Sequence, residues 1–227
     1  MGLGKTSITL TASADLLFDS VVVHKVLVIA PLRVARDTWS AELQKWDQLH
    51  HLTYSVAVGS EAERKAALTK KADIYIINRE NVQWLIEKSE LPFDYDMVVV
   101  DELSSFKNHQ SKRFKALMQV RPRIKRVVGL TGTPASNGLM DLWAEFKVID
   151  MGKRLGRFIT YYRQEYFVPD AMNGQIVYSY RPKPGAEQAG ACPVGGDIQF
   201  YRLLSCWRLR IQASNSLKMV SWIFSGE

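Results

Sequence analysis

The chain opens with Gly2, Leu3, Gly4, Lys5, Thr6 and Ser7, and this order of residue types suits one chemistry. A nucleoside triphosphate needs its charge met by a lysine and by backbone N–H groups at a helix N-terminus. Gly2 and Gly4 let the backbone approach, Lys5 reaches the β- and γ-phosphates, and Thr6 holds a magnesium ion. A phosphate loop is written G-x-x-x-x-G-K-[ST], and the chain begins too late to show the first glycine. Far downstream, Asp101 and Glu102 follow the apolar run MVVV. A carboxylate there serves the magnesium, and its neighbour polarises an attacking water. A third polar turn, Thr131, Gly132 and Thr133, follows the apolar stretch RVVGL. Alone, a terminal GKT is mostly coincidence, and a strand ending in Asp-Glu often only caps a helix. The signal is the ordered set of three.

Those residues need elements to position them. Residues 8–18 (ITLTASADLLF) space small and apolar residues so that a helix would bury one face. KVLVIAP (25–31) is a short apolar run stopped by Pro31, as a buried parallel strand requires. Helical patterns follow at 34–46, 61–72, 80–88, near 110–120 and at 137–150; strand patterns fall at 53–59, 73–78, 95–102 and 125–134. Such alternation predicts βαβ units and a mostly parallel, three-layer α/β sheet. Ligands in these sheets bind at the carboxyl ends of the strands, where all three polar turns fall. Trp39, Trp46, Trp84 and Trp143 each lie on an apolar helical stripe and are expected in the core.

With 227 residues, 47% hydrophobic and 23% charged, the chain fits one globular domain plus an appendage. The net charge of +7 is compatible with an anionic partner and equally with a mildly basic cytosolic protein. The basic stretch 107–126 is read first as a solvated helix face, with DNA phosphate contact as the alternative. His109 has no second ligand at metal spacing, and Cys192 and Cys206 are read as ordinary thiols. No apolar run reaches ~18 residues, and the N-terminus lacks the order of a signal peptide. A cytoplasmic setting without membrane contact is expected.

The segments MGLGKT, VLVIAPLRVARDTW, IINRENVQWL, VVVDELSSFKN and VVGLTGTPASNGLMDLW stand in one register. Together they closely resemble the first RecA-like lobe of SNF2-type superfamily 2 helicases, with phage and prophage members nearest. The resemblance implies a P-loop NTPase lobe over 1–150 that uses ATP and Mg2+. It implies that Gly2, Leu3, Gly4, Lys5, Thr6 and Ser7 hold the nucleotide, with Thr6 and Asp101 serving the metal and Lys5 and Glu102 catalysing. Thr131, Gly132 and Thr133 match the motif that links nucleotide state to DNA contact. Pro31, Leu32, Arg33, Asn78 and Arg79 would face a nucleic-acid backbone, that of duplex DNA by family likeness alone. Ser104 stands where many relatives carry histidine, which puts coupling rather than nucleotide binding in question.

Residues 151–188 resemble the start of the family's inter-lobe insertion, and an Asn-Gly pair at 173–174 suggests a hairpin. The family's engine needs a second RecA-like lobe, in cis or in trans, which supplies an arginine finger. Residues 189–227 show no clear period and are read as an irregular tail. That break and the clipped loop are explained by a truncated or frameshifted product, or else by a genuine short tail packed on the lobe. Two functions therefore stand: the ATP-binding lobe of a DNA translocase, weakly active alone, or a nucleotide- and DNA-binding module without turnover. A small-molecule kinase fits less well, because it leaves the TGTP turn unexplained.

Overall fold

Five short runs rich in β-branched residues become strands covered on both faces, because nearly every side chain in them is apolar. They are β1 (Val26–Ala30), β2 (Tyr54–Ala57), β3 (Ile74–Asn78), β4 (Met97–Asp101) and β5 (Arg126–Thr131). In this computed structural model the described residues are 4–132, 138–173, 176–186 and 221–225. The sheet order is β2-β3-β1-β4-β5, with all five strands parallel. An antiparallel edge strand, β8 (Ser221–Ser225), pairs with β5. The tail predicted to be irregular thus contributes one strand, which its weak sequence period did not announce.

Alternate residues of each strand enter two separate cores. Val26, Val28 and Ala30 of β1 pack with α1 (Lys5–Ala14) and α2 (Trp39–Lys45) through Leu10, Trp39 and Leu43. Leu27 and Ile29 face the opposite layer, built from α3 (Glu61–Thr69), α4 (Val82–Glu87), α5 (Lys112–Val120) and α6 (Leu142–Asp150). This is the expected three-layer α/β lobe. Because β4 lies across β1 from β3, the chain reverses its order of addition there, and the carboxyl ends of β1 and β4 flank the switch point.

Glycine matters most at Gly129 in β5. A Cβ there would sit 2.6 Å from Leu103 Cδ2 and 2.7 Å from Ile149 Cδ1. Its absence lets the turn after β4 and the helix α6 close together over the sheet.

Residues beyond 150 form α7 (Ile159–Tyr166) and an antiparallel hairpin of β6 (Phe167–Asn173) and β7 (Ile176–Pro182). The register pairs Asn173 with Ile176, so the hairpin predicted from the Asn-Gly pair forms, its tip lying outside the described residues. One core assignment needs correction. Trp39 and Trp143 are buried, but Trp46 ends α2 in extended backbone with 37% of its surface exposed. Its indole donates to Glu42 on the surface, so the helical stripe stops one residue short of it.

Candidate functional site

Of the residues expected to hold phosphate, Gly4 caps α1 and Lys5, Thr6 and Ser7 form its first turn. Gly4 adopts φ 67°, a left-handed conformation that turns the chain into the helix, and the Ser7 hydroxyl donates to the Gly4 carbonyl at 3.0 Å. Lys5 and Thr6 are half-buried in the first helical turn. Gly2 and Leu3 lie outside the described residues.

Strand parity divides the two carboxylates. Met97 and Val99 of β4 belong to the core beneath α1 and α2, so Asp101 shares their face. There its Oδ2 accepts a hydrogen bond of 3.1 Å from the Trp39 indole, and the Lys5 ammonium faces it electrostatically. Burial pushes the Asp101 carboxyl above the ordinary carboxylate range, while the indole N–H and Lys5 pull it back. Glu102 breaks the strand with φ 62° and ψ 65°, a conformation that costs a non-glycine residue roughly 1–2 kcal/mol. That kink turns its side chain toward β5. Oε1 of Glu102 accepts from Ser104 Oγ at 2.6 Å and from Thr131 Oγ1 at 3.3 Å. Serine at the position of the family's histidine therefore still reaches the adjacent carboxylate.

Thr131 is fully buried at the end of β5, and Gly132 follows with open space around it. Thr133 lies outside the described residues. The lysine, the two carboxylates and Thr131 are thus brought to one sheet edge, as their order in the chain predicts.

The turns after β1 and β3 flank a cleft of about 370 Å3 lined by Leu32, Arg36, Val58, Gly59, Arg64 and Asn78, with Asn81 at its rim. Leu32 is 48% exposed and Arg33 lies on the surface beside it, while Pro31 is half-buried. Asn78 is buried: its amide donates to Glu80 at 3.1 Å and its oxygen accepts from Asn81 at 2.6 Å. Arg79 pairs with Glu80 at 2.9 Å. Asn78 consequently builds the turn, with exposed Glu80 bonded to it and exposed Arg36 lining the same cleft. Arg36 and Arg64 line the cleft and were not singled out from the sequence. Arg64 sits 4.2 Å over the Trp84 ring and donates to the Gly59 carbonyl, contacts that no local pattern encodes.

The basic stretch divides as its helical period dictates. Lys112 and Lys115 are exposed, whereas Arg121 is buried and donates to the Ile124, Val148 and Ile149 carbonyls. Among the described residues no group of three or more His, Cys, Asp or Glu side chains could hold a metal, and no helix is long and apolar enough to cross a membrane.

Comparison with known proteins agrees with this arrangement. The model of the SNF2-related domain matches residues 1–170. A putative protein, p41, of Acyrthosiphon pisum secondary endosymbiont phage 1 is 35% identical over 188 residues, covering 80% of this chain and 41% of that protein. An uncharacterized ATP-dependent helicase of Mycoplasma genitalium, MG018, is 30% identical over 154 residues, covering 66% of this chain and 14% of its own. Among solved structures, the SWI2/SNF2 ATPase core of Sulfolobus solfataricus in complex with dsDNA aligns with a TM-score of 0.60 at 28% identity. That alignment covers 73% of this chain and 33% of the archaeal one. The chain spans less than half the length of these relatives. With its parallel sheet matching a RecA-like lobe of that core, the chain belongs to the SNF2-related domain family.

Proposed function

We propose that this chain is the ATP-binding N-terminal lobe of an SNF2-like, DNA-dependent ATPase that translocates on duplex DNA. The observation that carries it is the division of labour at the end of β4: Asp101 held by Trp39 and facing Lys5, Glu102 held by Thr131 of the next strand. Lys5 meets phosphate charge. Thr6 and Asp101 offer a hydroxyl and a carboxylate, the hard oxygen donors that suit magnesium, which otherwise keeps water and phosphate oxygens as ligands. Magnesium, when bound, neutralises charge developing on the transferred phosphoryl group. Glu102 orients and polarises the attacking water, and Thr131 and Gly132 relay its position to the strand end. Duplex DNA is the partner proposed for the Arg33 and Arg36 surface, supported by the dsDNA in the complex of the archaeal relative. A second RecA-like lobe, in cis or in trans, completes the cleft; the chain covers only 33% of that solved core.

The alternative is a nucleotide- and DNA-binding module without turnover. The 2.6 Å bond from Ser104 favours it, since that donor holds the Glu102 carboxylate on the protein instead of on water.

The test is Mg-ATP binding and hydrolysis by the chain with and without duplex DNA, for wild type and Lys5→Ala. Binding lost in Lys5→Ala, with turnover far below one per second, supports the proposed lobe. No binding by the wild type refutes both readings. Turnover near one per second that Lys5→Ala abolishes refutes the need for a second lobe.

A further inference from the structure

Glu145 is an anomaly in this lobe. It is 0% exposed, and among the described residues neither carboxylate oxygen has a hydrogen-bond partner. An ionised carboxylate left so would cost several kcal/mol in desolvation. A buried carboxyl in that position holds its proton to a higher pH than an exposed one.

Its place explains what the proton does. Gly129 of β5 touches Ile149 of α6, and Glu145 lies one helical turn before Ile149 on the same face. Thr131, two residues after Gly129, points to the same side of the sheet and holds Glu102. Glu145 therefore lies on the side of the sheet to which Thr131 and Glu102 turn, and after burial and Asp141 the Glu102 charge is a further, smaller influence that raises its carboxyl. The other groups facing Glu145 are Asp141 and Lys107, which form an ion pair of 3.3 Å. Arg121, at the end of α5, is bonded to the Val148 and Ile149 carbonyls, which leaves Lys107 as the cation that opposes the two acids.

We propose that Glu145 is a positioning residue for Glu102: uncharged, it lets Glu102 rest on Thr131, and on releasing one proton to solvent it repels Glu102 from that contact. This rests on Glu102 being the carboxylate that orients the attacking water. Burial first, and Asp141 second, push the Glu145 carboxyl up to about 7, which places the proton release within the ordinary working range of pH.

The experiment is a pH titration of the protonated-carboxyl stretch by infrared difference spectroscopy on the full chain. The band is assigned by its loss in Glu145→Gln or, should that variant not fold, by its shift in Glu145→Asp. Coupling is reciprocal, so removing the Glu102 charge in Glu102→Gln raises the proton's dissociation constant at Glu145 by ~3-fold or more. That shift, with a midpoint near neutrality in the wild type, is the expected result. A Glu145 band absent at every pH overturns the proposal, as does a midpoint indifferent to Glu102→Gln. Mg-ATP binding measured in parallel keeps the two readings apart. Failure of the wild type to bind refutes the nucleotide role of the lobe, whereas the infrared titration alone decides whether the two glutamates are linked.

Discussion

The indole N–H of Trp39 donates to Asp101 Oδ2 at 3.1 Å, across 62 residues of sequence. It ties the helix that follows β1, beside the exposed Leu32 and Arg33 turn, to the carboxylate proposed to serve magnesium. Replacing Trp39 with Phe keeps most of the packing and deletes the donor. Burial then holds Asp101 further above the ordinary carboxylate range, since the indole that pulls it down alongside Lys5 and the Glu102 backbone N–H is gone. The loss of a hydrogen bond to a charged group lowers Mg-ATP affinity roughly 10- to 100-fold. Calorimetry at pH 5.5 and 8 checks both points: the deficit is larger at the lower pH, where the protonated fraction is greater.

Ser104 and Thr131 hold one oxygen of Glu102 from two directions, at 2.6 Å and 3.3 Å. Neither is proposed to touch phosphate. Ser104→Ala and Thr131→Ser therefore leave Mg-ATP affinity within ~2-fold, while Ser104→Ala changes hydrolysis by ~10-fold through misplacement of the carboxylate. If a second lobe is needed for measurable turnover, the comparison is made with that lobe supplied. A parallel loss of binding and turnover would show instead that Ser104 shapes the nucleotide pocket.

Gly129 is a packing device within β5. A methyl group at 2.6 Å from Leu103 and 2.7 Å from Ile149 must displace both buried side chains. Gly129→Ala destabilises the lobe by about 1–3 kcal/mol, a fall of several degrees in Tm by calorimetry. Because Leu103 directly follows Glu102, the variant also weakens any DNA stimulation of hydrolysis more than it weakens ATP binding.

Glu145 makes the stability of the lobe depend on pH. Its folded-state carboxyl lies at about 7 against an ordinary 4.5, so the folded chain holds a proton that the unfolded chain has released. The resulting cost is absent below pH 4.5, grows between 4.5 and 7, and is complete above, reaching up to about 3 kcal/mol. Glu145→Gln removes this slope. Denaturant melts at pH 5 and pH 8 should show the variant gaining on the wild type as pH rises; equal slopes would show that Glu145 is ionised with a partner.

The order GKT, strand-Asp-Glu, strand-Thr-Gly was legible in the sequence because each piece is local. A glycine before a helix, a carboxylate closing an apolar run and a period of two or 3.6 depend on neighbours a few residues away. So were the parallel sheet and the hairpin at 167–182, since both follow from turn chemistry and apolar runs. Tertiary structure alone decided what each of those residues touches. Trp39 reaches Asp101, Asn78 turns inward to Asn81 rather than outward, and Trp46 falls outside the core, because helix ends and turns are set by packing between distant elements. Glu145 reads in the sequence as one more polar residue on an amphipathic helix. Only closure of α6 over Gly129 buries its carboxyl on the side of the sheet to which Glu102 turns, where removal from water makes its proton matter.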